Sequence, residues 1–444
     1  MSPFLHKKRL SSAQIILMGF ALVILLGAWL LMLPVSSRDG SWTPFLDTLF
    51  TATSAVCVTG LVLYDTATHW TLFGQVIILI LIQIGGMGVI TVAASIAMLS
   101  GRRITLSQRS TMQDAISAPQ VGGIVRFTGF ILKGILIVEL SGAALLSIVF
   151  IRDYGFPRGL WMGIFHSISA FCNAGFDLLG EKAPFSSLSA YVTNPIVNLT
   201  IGHLIILGGL GFLTWEDVCR NKWHVTRYRM QSKVIFISTA LLISLPALYF
   251  FFFEFEALPF AQRAWGSWFQ SVTPRTAGFN TLNYADLSET GQMITSALMV
   301  IGGAPGSTAG GMKNTTFAVL IACAIAVFQK RKDAHYFGRR LPTDTIKDAV
   351  AIFLLYMATF LVGGMLISLA ENLPLVTCLF ESASAVGTVG LTLGITPSLG
   401  TVSKIVLMTE MFFGRVGGLT LIFATIPAAK NVLSRLPEEK IAVG

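Results

Sequence analysis

Phe50-Thr-Ala-Thr-Ser-Ala-Val-Cys-Val-Thr-Gly60 is one of four similar stretches in this chain of 444 residues. The others are Phe165-His-Ser-Ile-Ser-Ala-Phe-Cys-Asn-Ala-Gly175, Trp268-Phe-Gln-Ser-Val-Thr-Pro-Arg-Thr-Ala-Gly278 and Phe380-Glu-Ser-Ala-Ser-Ala-Val-Gly-Thr-Val-Gly390. Each ends on a glycine just outside a strongly apolar segment, and the glycines lie 115, 103 and 112 residues apart. A small-residue turn that follows a short helix and recurs four times lets one polypeptide ring its own axis. That arrangement implies an ion filter.

The surroundings of these stretches are membrane-like. Apolar residues make up 54% of the chain and charged residues 12%, with a mean hydropathy of +0.73; a soluble domain carries about 25% charged residues. Apolar runs occupy 12–34, 70–99, 123–151, 191–214, 231–253, 289–303, 314–328, 345–370 and 400–428. Most reach the ~20 residues that cross hydrocarbon. The runs at 289–303 and 314–328 are short and separated by a glycine-rich stretch, so they count as one interrupted crossing and the total is eight. Lys7, Lys8 and Arg9 before the first run imitate a leader. The run is too long and lacks a small-residue cleavage site, so it reads as a retained first helix.

Charge placement orients the chain. Segments 1–11, 100–126, 215–233, 329–347 and 429–444 hold 21 of the 31 Lys and Arg residues. The alternate segments are rich in acid, among them Asp39, Asp65, Asp153, Asp177, Glu254 and Asp286. The positive-inside rule makes the first set cytoplasmic, with both termini inside. The net charge of +9 therefore reports topology, and no basic loop is long enough to fold as a nucleic-acid surface. The five cysteines show no CxxC pairing, which suggests neither disulfides nor a metal.

The expected fold is all-α and integral to the membrane. Four parallel helix–pore-helix–helix repeats (1–99, 100–214, 215–328 and 329–444) would stand in pseudo-fourfold arrangement around one central pore. The short segments 44–56, 158–171, 261–273 and 373–386 cannot span the bilayer but can re-enter it. Non-helical backbone at that depth persists only where it is buried or lines water. A second fourfold pattern follows the glycines: Gly85, Gly88, Thr91; Gly208, Gly211, Thr214; Gly302, Pro305, Thr308; and Gly414, Gly417, Thr420. In units one, two and four these small residues are expected mainly to allow close helix packing.

A cation leaving water needs replacement oxygens, and backbone carbonyls supply them without a net charge that would trap it. Glycine presents such carbonyls at least steric cost. The filter residues are therefore Gly60, Gly175, Gly278 and Gly390 with those just before them: Val58 and Thr59, Asn173 and Ala174, Thr276 and Ala277, Thr388 and Val389. One glycine per unit predicts a short filter. The alternative reads them as ordinary loop glycines.

Residues 304–313 run Ala304, Pro305, Gly306, Ser307, Thr308, Ala309, Gly310, Gly311, Met312 and Lys313, and they break the second crossing of unit three. Proline removes a helix donor and glycine loosens what remains. The segment reads as a mobile plug beneath the filter or as a static kink; interruption of only one of four equivalent helices favours the plug. Arg415 sits mid-membrane, where an uncompensated charge is costly. It could bond loop carbonyls and hold the gate shut, or pair with Glu410. Lys133 and Glu139 read as helix contacts or a dimer interface. Asp47, His166, Gln270 and Glu381 lie in the pore helices, either adding negative potential or anchoring those helices.

These motifs carry a resemblance. The four-unit plan, Arg275-Thr-Ala-Gly-Phe-Asn280, Gly85-Gly-Met-Gly88 and Gly302 to Gly311 resemble the Trk/Ktr/HKT superfamily of potassium transporters. The likeness covers nearly the whole chain. Its length and short N-terminus make it most similar to the membrane subunits of bacterial Ktr potassium-uptake systems. The resemblance implies potassium uptake, sodium-dependent in many Ktr systems, by a homodimer in the bacterial plasma membrane with one pore per subunit. It implies an intramembrane gating loop at 304–313 and a basic pore residue at Arg415. It also implies a cytosolic RCK-type regulatory ring (KtrA) that binds ATP or ADP, and a C-terminal tail, ending at Gly444, packed at the dimer interface. Gly60 favours potassium, because a serine at the first filter glycine accompanies sodium transport in plant relatives.

Catalysis has no visible site: the chain lacks a Walker A run, and its six histidines are scattered. Nucleotide sensing has no place in it either, so a regulator would dock on the basic loops. The alternative to a gated conductor is a non-conducting membrane receptor or scaffold that keeps the repeat.

Overall fold

The computed structural model describes residues 11–100, 105–116 and 122–425, together with 437, 439 and 441. The basic N-terminal residues Lys7, Lys8 and Arg9, parts of the 100–126 loop and nearly all of the tail to Gly444 lie outside the described residues.

Four long helices carry the membrane-spanning signal: α1 (Ser12–Met32), α7 (Ile124–Tyr154), α11 (Met230–Tyr249) and α15 (Thr343–Glu371). Each is followed by a short helix: α2 (Phe45–Val56), with the single-turn α3 (Thr66–His69) after it; α8 (Arg158–Phe171); α12 (Phe260–Val272); and α16 (Leu375–Val386). The expected short segments are thus present within a residue or two of their expected ends. A proline occupies the N-cap of all four, at Pro44, Pro157, Pro259 and Pro374. Its fixed φ suits the turn into a helix, and its missing N–H is no loss there. This third fourfold signal stands in the sequence beside the glycines.

The second helix of every unit is broken. In unit one α4 (Leu72–Met87) meets α5 (Val89–Leu99) at 95°, and the short α6 (Leu106–Ile116) follows; in unit two α9 (Pro195–Gly209) meets α10 (Phe212–Asn221) at 98°. Unit three has α13 (Glu289–Val300) and α14 (Asn314–Phe328) on either side of the loop, and unit four has α17 (Thr401–Val416) and α18 (Gly418–Thr425). The hinges are Gly88, Gly211 and Gly417, at φ 84, 84 and 91°. Left-handed φ is open to glycine at little cost. This corrects the expectation that only unit three is interrupted, and that the glycines elsewhere serve mainly for packing.

In units one, two and four the packing role belongs to the first glycine of the motif. A Cβ on Gly85 would lie 2.0 Å from Val56 O, on Gly208 2.1 Å from Phe171 O, and on Gly414 2.2 Å from Val386 O. The second helices therefore rest directly on the C-terminal carbonyls of the short helices. A hairpin, β1 (His335–Tyr336) and β2 (Arg339–Arg340), is the one sheet among the described residues.

The core lies in the middle of the bundle. Phe50 to Val56 of α2 and Phe380 to Val386 of α16 are wholly buried, whereas the long helices keep leucines such as Leu22, Leu136, Leu241 and Leu354 exposed. Apolar outside and packed inside is the pattern of a protein surrounded by hydrocarbon.

Candidate functional site

Immediately beyond each short helix the chain makes the same turn. Val58, Asn173, Thr276 and Thr388 take φ of 52, 58, 73 and 51°, and the glycines two residues on take 93, 69, 81 and 91°. Such φ values in β-branched residues are rare and cost about 1–3 kcal/mol each. Their repetition at equivalent positions of all four units marks an imposed conformation. The residue between is tied back in every case: Thr59 N donates to Ser54 O, Ala174 N to Ser169 O, Ala277 N to Thr273 O and Val389 N to Ser384 O, at 2.8 to 3.0 Å.

The four turns close into a ring. A Cβ on Gly60 would stand 2.5 Å from Ala174 O, on Gly175 2.8 Å from Ala277 O, on Gly278 2.4 Å from Val389 O, and on Gly390 2.2 Å from Thr59 O. Each glycine thus abuts the carbonyl of the next unit, and unit four returns to unit one. The carbonyls of all four residues before the glycines belong to this ring.

Side-chain hydroxyls brace it from behind. Gly60 N donates to Ser54 Oγ and Gly390 N to Ser384 Oγ, both at 3.0 Å. Ser169 Oγ donates to Phe176 O at 2.7 Å and Thr273 Oγ1 to Phe279 O at 2.6 Å. Sequence reasoning passed over these residues, although a hydroxyl five or six positions before each glycine is legible. The C-termini of the four short helices adjoin the ring and bring partial negative charge to it.

On one face of the ring a cavity of about 140 Å³ is lined by Gly60, Gly175, Gly278, Gly390, Asp65 and Asp177 among others. Asp65 is fixed by Ala67 N, Thr68 N and Phe185 N. Burial pushes the Asp177 carboxyl up to about 7, and neighbouring Asp65 adds to the shift. Both acids were read as outer-loop charges; only the fold brings them to the mouth of the ring.

On the other face lies segment 304–313. Ala304 N donates to Gly209 O at 2.9 Å, Thr308 N to Gly208 O at 3.1 Å, and Phe212 N to Gly306 O at 2.8 Å. Thr308 Oγ1 donates to Phe171 O at 2.9 Å, and Gly311 N to Gly414 O at 3.1 Å. A Cβ on Gly310 would meet Thr388 Oγ1 at 2.0 Å, so the segment reaches the underside of the ring. Lys313 Nζ donates to Ala309 O at 2.7 Å. Gly306, Ser307, Ala309, Lys313 and Arg415 then line a second cavity of about 160 Å³ with Asp114 of α6.

Arg415 ties the segment to unit one. Its guanidinium donates to Thr308 O, to Gly85 O and, at 3.0 Å, to Gly86 O. The last two are end carbonyls of α4, and Gly85 O also accepts from the capping Gly88 N at 3.1 Å. Glu410 bonds Ser382 instead, which removes the alternative pairing for Arg415.

The four polar residues of the short helices are anchors. Asp47 accepts from Lys404 Nζ at 2.9 Å and Tyr64 OH at 2.7 Å. Leu178 N donates to His166 Nε2 at 3.3 Å, Gln270 Nε2 donates to Leu282 O at 2.6 Å, and Leu393 N donates to Glu381 Oε1 at 3.1 Å. Glu139 is a buried helix contact, accepting from Gln83 Nε2 at 3.3 Å, whereas Lys133 is exposed.

The family model described as TrkH, cation transport protein, matches residues 11–434. The chain belongs to the TrkH family. It is 40% identical over 449 residues to the potassium/sodium uptake protein NtpJ of Enterococcus hirae, covering 99% of this chain and 98% of that one. It is 38% identical over 443 residues to Ktr system potassium uptake protein B of Bacillus subtilis, covering 98% and 97%. Its fold is similar to the crystal structure of the potassium transporter TrkH from Vibrio parahaemolyticus, with a TM-score of 0.75 at 18% identity over 96% of this chain and 87% of that one. As a TrkH-family member with these apolar helices, the chain is a multi-pass membrane protein.

Proposed function

We propose that this protein takes up potassium through the ring formed by Gly60, Gly175, Gly278 and Gly390, with Thr59, Ala174, Ala277 and Val389 supplying oxygens. The closed contact of each glycine with the next unit's carbonyl carries this reading. Oxygens of neutral backbone can replace a hydration shell without binding the ion too tightly to leave. Val58, Asn173, Thr276 and Thr388 set the turn that aims them. The names of the relatives supply the ion, since two of them are potassium or potassium/sodium uptake proteins.

Segment 304–313 acts as the gate, held against the ring by Arg415, whose charge also repels cations. The four repeats run 1–99, 100–214, 215–328 and 329–444. The face bearing Asp65 and Asp177 is external, and the basic loops and both termini are cytoplasmic, as the Lys and Arg distribution supports. A cytosolic nucleotide-binding ring docks on the loops near 100–126, 215–233 and 329–347, where Arg220, Lys222, Arg339 and Arg340 are exposed. The working unit is a homodimer, and sodium activates transport; both rest on the likeness to Ktr-type relatives.

The test is potassium-limited growth of an uptake-deficient bacterium together with rubidium flux into vesicles containing the purified protein. Wild type should support both, and Gly278→Ser should impair both. Unchanged growth with Gly278→Ser, or vesicles that pass no rubidium even with residues 305–311 deleted, overturns the reading in favour of a receptor or scaffold.

A further inference from the structure

One buried acid is unused by the ring and the gate. Glu410 of α17 is 2% exposed, and its Oε1 lies 2.6 Å from Ser382 Oγ of α16. The same hydroxyl lies 2.8 Å from Phe360 O of α15. Two oxygen–oxygen separations this short each require a proton between them. A serine hydroxyl owns one. A carbonyl has none to offer, so the second proton must sit on the carboxyl.

The surroundings agree with a neutral group. Glu410 Oε2 has no hydrogen-bond partner, and among the described residues no ion pair reaches this side chain. The charged groups on the helices around it are committed elsewhere or remote. Lys404, on the same helix, pairs with Asp47 of α2, and Arg415 bonds three carbonyls. Glu381 of α16 is bonded by Thr392 and Thr396. Glu371 of α15 accepts from Gly400 N and Ser403 at the end of that helix, and Lys347, Asp344 and Asp348 lie in its first turns, well over two turns from Phe360. A lone carboxylate buried without a cation would cost several kcal/mol. Gly363 opens the space the acid fills: a Cβ there would stand 1.8 Å from Glu410 Oε1.

We propose that Glu410 is a neutral carboxylic acid that donates to Ser382 Oγ, while Ser382 donates to Phe360 O, forming a relay that clamps α16 between α15 and α17. Rotation along a helix puts residues two positions apart on nearly opposite faces. Ser382 therefore grips the back of α16 while Ser384, two positions on, accepts from Gly390 N at the ring. The clamp fixes the angle at which this helix meets the filter, which makes Glu410 a positioning residue. Unit two repeats only half of it: Ser167 Oγ donates to Glu139 O at 2.7 Å, with no acid on the hydroxyl. The inference rests on the reading of α16 as a pore helix.

Two measurements on the full chain in lipid test it. The infrared difference spectrum of wild type minus Glu410→Gln at neutral pH should show the carbonyl stretch of a protonated carboxylic acid, independent of whether any ion is conducted. Its absence overturns the proposed proton. In vesicles, Glu410→Gln retains a donor and should keep the rubidium-over-sodium flux ratio within about twofold of wild type, whereas Glu410→Leu should lower it about tenfold, the size expected for one buried hydrogen bond. Both variants are compared as monodisperse protein. A wild-type ratio in Glu410→Leu, or an equal loss in both variants, overturns the positioning role.

Discussion

Gly390 of the last unit stands against Thr59 of the first: a methyl group added to the glycine would lie 2.2 Å from the threonine carbonyl oxygen. Residues 331 positions apart thereby close the ring. Gly390→Ala must both displace that oxygen and hold a Cβ at φ 91°, a strain of about 1–3 kcal/mol before any clash. Rubidium flux should fall at least about tenfold, since each 1.4 kcal/mol is worth that factor. Flux equal to wild type would mean that the ring is not the ion path.

Arg415 joins the segment 304–313 to two end carbonyls of α4. In the proposed reading it latches the gate. Arg415→Ala, and separately deletion of 305–311, should raise rubidium flux in vesicles that lack any cytosolic partner. Hydrogen bonds to a charged group are worth about 1.5–3 kcal/mol, so the closed state should lose roughly a factor of ten or more in population. An unchanged basal flux in both variants would remove the plug.

The hinge glycines separate strain from contact. Gly211 and Gly417 share nearly the same φ, yet a Cβ on Gly211 would lie 2.7 Å from Pro305 O, whereas on Gly417 it would find only Thr420 Oγ1 at 3.9 Å. Gly417→Ala should therefore cost only the backbone strain of a Cβ at φ 91° and ψ 133°, about 1–3 kcal/mol in thermal stability. Gly211→Ala should in addition push Pro305 and alter basal flux. Flux in the two variants, measured side by side, checks this difference.

Asp177 lines the cavity beside the ring glycines, with burial holding its carboxyl near 7. Below that pH the group is neutral, and above it the carboxylate adds negative charge next to the ring. The apparent affinity for external rubidium should therefore improve as external pH rises through about 7. In Asp177→Asn the pH dependence should flatten. A wild-type profile in that variant would assign the titration to another group.

Much of this was legible in one dimension because four units obey the same local rules. The short helices and the glycine turns after them depend on a proline, a small-residue run and a glycine, all within 20 residues of one another. Such local signals survive without knowledge of neighbours. The pattern of second-helix glycines was visible too, but its meaning was misjudged. Glycine at a helix interior serves close packing or a positive-φ hinge equally well, and only the folded structure separates Gly85, which packs on Val56, from Gly88, which bends the chain. The partners of Arg415 were equally hidden, because a backbone carbonyl at a helix end 330 residues away leaves no mark in composition. Asp65 and Asp177 were read as outer acids, yet their meeting at the ring depends on how two loops fold over it.

By itself the sequence determined a membrane protein of four like units and the glycines at which the chain must turn. Those follow from transfer free energy and from backbone sterics, which act residue by residue. Tertiary structure alone decided that the turns close on one another, that the second helices of units one, two and four also break, and that Arg415 spans three units. These depend on approach between distant segments, where a contact of 2 to 3 Å forms or fails according to the packing of everything between.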